Sequence, residues 1–128
     1  MVAWSDYKAE AKSRGALALE LYAATSTPAK KPEDVKASLS DHLAYQAELE
    51  RVGSLAFAGP MSDETGDHMQ GMGLIIYRAE NFEAALALAK ADPMHKSGAR
   101  NFILRRWMIN EGSLTLSVGL STAKALMS

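Results

Sequence analysis

The sequence predicts one α+β domain with a βαββαβ core. Segments with the two-residue period of a β-strand alternate with segments of helical period, in the order strand, helix, strand, strand, helix, strand. A short polar link between the second and third strands favours an antiparallel hairpin. The chain has 128 residues, close to the most common domain size, so we expect a single domain over residues 1–128.

The composition excludes several classes of protein. Hydrophobic residues make up 48% of the chain and charged residues 23%, which is the balance of a folded globular protein. The 14 basic and 15 acidic side chains form no basic stripe, so neither nucleic acid nor an anionic membrane is an expected partner. No cysteine is present, which excludes disulfides, thiolate nucleophiles and cysteine-ligated zinc.

The expected location is the cytoplasm. Residues 1–15 are polar and charged, unlike a signal peptide. No apolar run approaches the roughly 20 residues that a membrane helix needs. The absence of cysteine also fits a reducing compartment.

The first two predicted elements are a short helix and a strand. The helix covers residues 5–14 and ends at Gly15. Its apolar face is formed by Trp4, Tyr7 and Ala11. Residues 16–24 then alternate between apolar and other side chains, which is typical of a strand. The apolar side of this strand is formed by Leu17, Leu19 and Leu21.

The next segment, residues 32–52, has the period of a helix. Pro32 suits the first helical position, and Gly53 closes the helix. The apolar stripe of this helix is formed by Val35, Leu39, Leu43, Leu49 and Val52. His42 lies inside this stripe.

A hairpin is predicted from two strands, residues 54–58 and 71–78, the first of which ends at a glycine-proline pair. The connection between them, residues 61–70, is polar. Within it, residues 63–68 gather three acids and a histidine. Their spacing matches no calcium loop or histidine-based zinc pattern, so no metal site is expected. A flexible lid over a nearby site is the favoured interpretation.

The second core helix begins at the capping residue Asn81 and runs to about Ala91. It stops at Asp92-Pro93, because proline disfavours helical geometry in the residue before it. The remaining predicted elements are a fourth strand over residues 101–110 and a C-terminal extension over residues 111–128, which contains a fifth strand over residues 114–118 and a weakly helical tail over residues 121–128.

This order of elements is the split βαβ, or ferredoxin-like, arrangement. Its two helices cover one face of the sheet, yet the opposite face also looks apolar. To that face we assign Ala56, Ala58, Ile75, Tyr77, Ile103, Trp107 and Ile109. An apolar sheet face needs a cover. A second copy of the sheet is the simplest one, so we expect a homodimer. The alternative cover is the N-terminal helix together with the tail.

A series of short motifs follows along the predicted core. They are Asp41-His42-Leu43-Ala44-Tyr45, Gly53-Ser54-Leu55-Ala56-Phe57-Ala58-Gly59-Pro60, Gly71 to Tyr77, Ala84-Ala85 and Asp92-Pro93. This order resembles the YCII-related family of the dimeric α+β barrel superfamily, over about residues 16–110. The resemblance implies a His–Asp pair in a cleft between sheet and helices, which maps onto His42 and Asp92. It also implies proton transfer on small cyclic molecules.

His42 is the best single candidate for a catalytic residue. An imidazole has an ordinary pKa of about 6.5, so it can take and give a proton near neutral pH. Asp92 is the candidate partner that would fix its tautomer, because it lies at a helix end where its side chain is free of the helix surface. The alternative interpretation is a hydrogen-bonded core histidine and an aspartate that only ends a helix.

Four further residues are candidates for binding a substrate. His95 lies in the same predicted loop as Asp92. Gly59 and Pro60 allow a ligand to approach the backbone closely. Arg105, on the last core strand, suits a carboxylate. Each has a plainer alternative, namely an exposed loop histidine, a backbone turn, and a solvated or interface arginine.

The function hypothesis has two alternatives. The first choice is a cofactor-independent isomerase or lyase for a small molecule, with His42 as general base and acid and Asp92 as its orienting partner. The alternatives are a non-catalytic ligand-binding dimer and a purely structural module. No phosphate-binding glycine loop or Gly-x-Ser-x-Gly elbow is present, and no cofactor is expected.

Overall fold

The structure, a computed structural model, describes residues 1–128. Its elements in chain order are α1 (Trp4–Ser13), β1 (Leu19–Pro28), α2 (Pro32–Ala37), α3 (Leu39–Val52), β2 (Leu55–Ser62), β3 (Met69–Tyr77), α4 (Phe82–Ala91), α5 (Pro93–Lys96), β4 (Arg100–Ile109), β5 (Leu116–Val118) and β6 (Ala125–Met127). The chain divides into two compact units, residues 20–107 and a terminal unit of residues 1–19 with 108–128. The single-domain organisation stays a prediction. None of the helices combines the length and the apolar character needed to cross a membrane.

The larger unit contains a four-stranded sheet with the strand order β2-β3-β1-β4. β3 is antiparallel to both of its neighbours, β1 and β2. β1 and β2 therefore run in the same direction with one strand between them, and α2 and α3 connect them in sequence. This is the split βαβ arrangement, so the predicted ferredoxin-like α+β fold is confirmed.

The core of the larger unit lies between one sheet face and the helices. Its buried members are Tyr22, Ala24, Leu49, Ile75, Tyr77, Ala85 and Ala89. The positions of Ile75 and Tyr77 in this core show that the predicted face of β3 is wrong. Ile76, between them, is also buried at 2% exposure. Because this part of β3 is apolar on both sides, its hydrophobic pattern does not specify which side meets the helices.

The predicted helix over residues 32–52 is in fact two helices. α2 and α3 meet at Ser38, which ends the first and precedes the second. The Ser38 N–H donates to the carbonyl of Val35 at 3.2 Å, and this three-residue hydrogen bond tightens the last turn of α2. Gly53 then closes α3 with a φ of +84°, a left-handed conformation that glycine adopts at low cost.

The connection between β2 and β3 is shorter than predicted, because Met61 and Ser62 belong to β2 and Met69 to β3. The remaining turn is held by Asp63, whose Oδ1 accepts hydrogen bonds from the hydroxyl of Thr65 at 2.6 Å and from two backbone N–H groups. Aspartate commonly stabilises turns in this way. A lid function for this segment stays a prediction.

The terminal unit has a small core of its own. Ala11, Ala18 and Met108 are buried together, and Trp4 and Tyr7 pack against them. The apolar face predicted for the first helix therefore has a partner within this unit.

The C-terminal tail forms a hairpin. β5 and β6 are antiparallel, with Leu116 opposite Met127, so the prediction of a weakly helical tail is wrong. The N–H of Gly119 donates to the carbonyl of Lys124 at 2.9 Å. This turn brings the two short strands into register, a non-local pairing that helical propensity alone does not reveal.

Candidate active site

A cavity of about 440 Å³ lies between α3 and the sheet of the larger unit. Its volume falls within the range of small-molecule binding sites. Much of its wall is apolar, with Leu39 and Leu43 contributed by α3 and Met69 and Met72 by β3. The polar side chains among its lining residues belong to Ser26, His42, Gln46 and Arg100.

His42 and Asp92 form a close pair at this cavity. Nδ1 of His42 lies 2.8 Å from both carboxylate oxygens of Asp92. The histidine side chain is 15% exposed and the aspartate side chain 1%. Since a carboxylate accepts a hydrogen bond, Nδ1 carries the proton and donates it. In the neutral imidazole, Nε2 is then left with its lone pair, which can accept a proton.

The chain positions Asp92 at the corner between two helices. Asn81 caps the start of α4 by accepting from the N–H of Ala84 at 2.8 Å. α4 ends before Asp92, whose Oδ1 caps α5 by accepting from the N–H of Met94 at 2.9 Å. Pro93 occupies the first position of α5, where its lack of an N–H costs nothing. The aspartate that ends one helix thus also begins the next.

Two tyrosines lie near Asp92 as neutral phenols. Burial raises the pKa of Tyr45, and the negative charge of Asp92 raises it further. The same two causes raise the pKa of Tyr77, burial again being the larger. The Tyr45 hydroxyl donates to the carbonyl of Leu88 at 2.7 Å, whereas the buried Tyr77 hydroxyl has no hydrogen-bond partner. Both phenols therefore keep their protons near neutral pH.

His95 reaches the cavity through Ser26. Its Nδ1 lies 2.8 Å from the carbonyl of Ala89, which accepts only, so Nδ1 is the donor. Its Nε2 lies 2.8 Å from the hydroxyl of Ser26. Burial lowers the pKa of His95, which favours the neutral ring. The Ser26 hydroxyl therefore donates to Nε2, and the tautomer of His95 is fixed.

Arg100 is held by the same serine. Its Nε donates to the Ser26 hydroxyl oxygen at 2.9 Å, and its Nη2 donates to the Ser26 carbonyl at 2.8 Å and to the carbonyl of Gly71. Burial lowers the pKa of Arg100, and the charge of Asp92 partly opposes this. An arginine stays protonated under such conditions. The cavity wall therefore carries a fixed positive charge.

The remaining predicted binding residues divide into two groups. Gly59 and Pro60 line the cavity from β2, and a Cβ added at Gly59 would meet no atom within 4 Å. Arg105 is exposed and does not line the cavity. It lies five residues after Arg100 on β4, and an odd spacing along a strand places two side chains on opposite faces. A binding role for Arg105 stays a prediction without support from the cavity.

Sequence reasoning missed Ser26 entirely and chose Arg105 in place of Arg100. A serine near the end of a strand carries no distinctive signal. Arg100 could have been identified from its even spacing to the apolar Phe102 and Leu104, which pack against the core from the helix side. That inference requires knowing which face of β4 meets the helices.

A model of the YCII-related domain matches residues 19–108 of the chain. The chain belongs to the YCII-related family. Among solved structures, this YCII-related protein is similar to 5-chloro-2-hydroxyhydroquinone dehydrochlorinase (TftG) from Burkholderia phenoliruptrix AC1100, in its complex with 2,5-dihydroxybenzoquinone. The two chains are 22% identical with a TM-score of 0.51, over 68% of this chain and 92% of that one. At this identity the likeness shows a shared fold. No curated protein sequence matches this YCII-related chain.

Proposed function

We propose that this YCII-related protein is a cofactor-independent enzyme of isomerase or lyase type, in which His42 transfers protons on a small cyclic substrate. The observation that carries the proposal is the hydrogen bond from Nδ1 of His42 to Asp92, which leaves Nε2 as a base at the cavity. A positioned general base or acid of this kind typically accelerates a reaction by about 10²–10⁴-fold.

The proposed step moves a proton from a substrate carbon or hydroxyl group to Nε2 of His42. The carboxylate of Asp92 stabilises the imidazolium that forms and keeps the ring in orientation. In an isomerase, the imidazolium returns the proton to another substrate atom. In a lyase, the electron pair of the broken C–H or O–H bond expels a leaving group that is conjugated to it, and the proton leaves His42 in a later step. The same two residues serve both reaction types.

The structural neighbour supports the lyase form of this proposal. Its name describes removal of hydrogen chloride from a chlorinated hydroxyhydroquinone, and its complex holds 2,5-dihydroxybenzoquinone. A planar ring of that kind fits a mainly apolar cavity of about 440 Å³. The second candidate function is non-catalytic binding of such a ligand, which the same apolar wall favours.

We further propose that the protein acts in the cytoplasm as a homodimer. Phe57, Ile103 and Trp107 are exposed to 52%, 57% and 43%. Phe57 pairs in register with Ile76, which lies on the sheet face away from the helix core. Large apolar side chains on one sheet face are commonly covered by a second copy of the same sheet.

The test begins with a ligand screen and ends with a variant. Binding to the folded state raises thermal stability, so a thermal-shift screen of hydroxylated aromatics, quinones and small lactones identifies ligands. Turnover is then measured with each ligand, including chloride release from 5-chloro-2-hydroxyhydroquinone. We expect His42→Ala to lose turnover while it still folds and binds. Asp41→Ala, an exposed neighbour on α3, is the matched control.

Two outcomes would contradict the enzyme proposal. An unchanged rate in His42→Ala would reject His42 as the proton-transfer group. Ligands that bind in the cavity without any chemical change would favour the non-catalytic candidate.

A further inference from the structure

Arg100 is a fixed cation with no acidic partner of its own. Its three hydrogen bonds go to the hydroxyl and the carbonyl of Ser26 and to the carbonyl of Gly71, and they occupy Nε and Nη2. No ion pair of the structure includes Arg100. Nη1 makes no hydrogen bond to the protein. The N–H groups of Nη1 are therefore available to bind an anionic oxygen.

The other charges around the cavity do not neutralise Arg100. No aspartate or glutamate is among the lining residues. The charge of Asp92 raises the pKa of Arg100, but the two residues form no ion pair. The oxygens of Asp92 are already occupied by Nδ1 of His42 and by the N–H of Met94. A partly buried cation in an apolar wall is costly unless a counter-charge is supplied.

From this arrangement, and resting on the proposed function of the cavity, we propose that its substrates are small planar organic anions, with an anionic oxygen bound by Nη1 of Arg100. The rest of the ligand contacts the apolar wall, including Leu43 and Met72. The unbranched thioether side chains of Met69 and Met72 adapt readily to a flat ring. The ligand class is therefore an aromatic or unsaturated carboxylate, phenolate or enolate rather than a neutral ring.

Ser26 and His95 are positioning residues in this proposal. The Ser26 hydroxyl oxygen accepts from Nε of Arg100 at 2.9 Å and donates its own proton to Nε2 of His95. Nδ1 of His95 is fixed by the carbonyl of Ala89. This chain of hydrogen bonds holds the guanidinium of Arg100 in one orientation. Less side-chain conformational entropy is therefore lost when a ligand binds.

The test compares benzoate with its neutral isostere benzamide, by calorimetry and by amide chemical shifts of the isotope-labelled protein. On the wild-type protein we expect benzoate to bind at least tenfold more tightly than benzamide, with shifts at Gly71 and Gly73 beside the guanidinium. Arg100→Gln should weaken benzoate binding by about ten- to hundredfold, because it removes hydrogen bonds from a charged donor. Arg100→Lys should recover only part of the affinity. Arg51→Gln, at an exposed position of α3 outside the cavity lining, is the matched control and should bind benzoate as the wild type does.

Several outcomes would overturn the proposal. They are equal binding of benzoate and benzamide, no benzoate binding at millimolar concentration, or loss of binding in Arg51→Gln in place of Arg100→Gln. If Arg100→Gln fails to fold, the comparison of the two ligands on the wild-type protein decides alone. A wild-type protein that prefers benzoate to benzamide but turns over none of the screened ligands would support this proposal and contradict the enzyme proposal, so the two can fail separately.

Discussion

Nδ1 of His42 lies 2.8 Å from the carboxylate of Asp92, although 50 positions separate the two residues in sequence. The contact joins the first half of α3 to the corner between α4 and α5. The same carboxylate also caps α5 through the N–H of Met94. Because the side chain of Asp92 is 1% exposed and has donors on two sides, the fold fixes the orientation of the His42 ring before any ligand binds.

Asp92→Asn tests this orientation. An asparagine has a similar shape but no charge, and its amide group can favour the opposite tautomer of His42. We expect the folded protein to show protonation of His42 at Nδ1 in the wild type and a mixture of tautomers in the variant, measured by long-range ¹H–¹⁵N correlation. Turnover should fall by about 10²-fold or more. Asp34→Asn, an exposed aspartate of α2, is the control. A wild-type protein protonated at Nε2 would contradict the proposed base.

His95 gives the folded protein a defined pH dependence. Burial lowers its pKa below the ordinary 6.5, so at intermediate pH the unfolded chain takes up a proton that the folded protein does not. The free energy of unfolding should therefore be highest above pH 6.5 and decrease as the pH falls from there towards the folded-state pKa. Urea denaturation at a series of pH values across this range measures the free energy of unfolding. His95→Asn retains a donor for the carbonyl of Ala89 and should flatten the curve in this range.

The control for this pH dependence is Ser26→Ala, which removes the hydrogen-bond partner of Nε2 but keeps the buried imidazole. We expect its curve to retain the slope of the wild type, since burial is the largest cause of the lowered pKa. Equal slopes in the wild type and His95→Asn would show that His95 ionises alike in the folded and unfolded states.

The order of the core elements was predictable because it depends on local periodicity. Strands of period two and helices of period 3.6 leave their pattern in the sequence whatever their partners are. The break between α2 and α3 at Ser38 was not predictable, since the apolar stripe continues through it. The face of β3 that meets the helices was not predictable either. Ile75 and Ile76 are both buried, and the alternation of side chains identifies the core face only when the other face is polar.

The candidate site was predictable mainly where a family motif exists. His42 and Asp92 stood out through the resemblance, and the structure brings them together. Ser26 and Arg100 depend on the pairing of β1 with its neighbours and on the position of α5, which no single segment encodes. Arg100 and Arg105 look equivalent in sequence, and only the choice of sheet face distinguishes them.

The proposed dimer predicts a sedimentation mass of about twice the 13.8 kDa of the chain. Ile103→Lys places a charge on an exposed apolar position of β4 and should yield a monomer, because a charge buried without a partner strongly disfavours an interface. Val52→Lys, at an exposed apolar position of α3, is the control and should remain dimeric. A wild-type protein that sediments as a monomer at micromolar concentration would rule out the dimer.

Gly71, which lines the cavity, has a positive φ and lies close to Pro28. Its φ is +92°, and a Cβ added there would lie 2.8 Å from Cγ of Pro28. Gly66 has a similar φ of +84° but open space around it. Gly66→Ala should therefore cost about 1–2 kcal/mol of unfolding free energy from backbone strain alone, whereas Gly71→Ala should cost more, because the rigid ring of Pro28 must also shift.

The two variants separate the effect of backbone strain from that of the steric contact with Pro28. Urea denaturation measures the loss of unfolding free energy in each. The carbonyl of Gly71 accepts a hydrogen bond from Arg100, so a shift of this backbone should also displace the guanidinium. We expect Gly71→Ala, but not Gly66→Ala, to weaken benzoate binding. Equal losses of stability in the two variants would show that β1 gives way to the added methyl group, and the cavity would then be less rigid than its hydrogen bonds indicate.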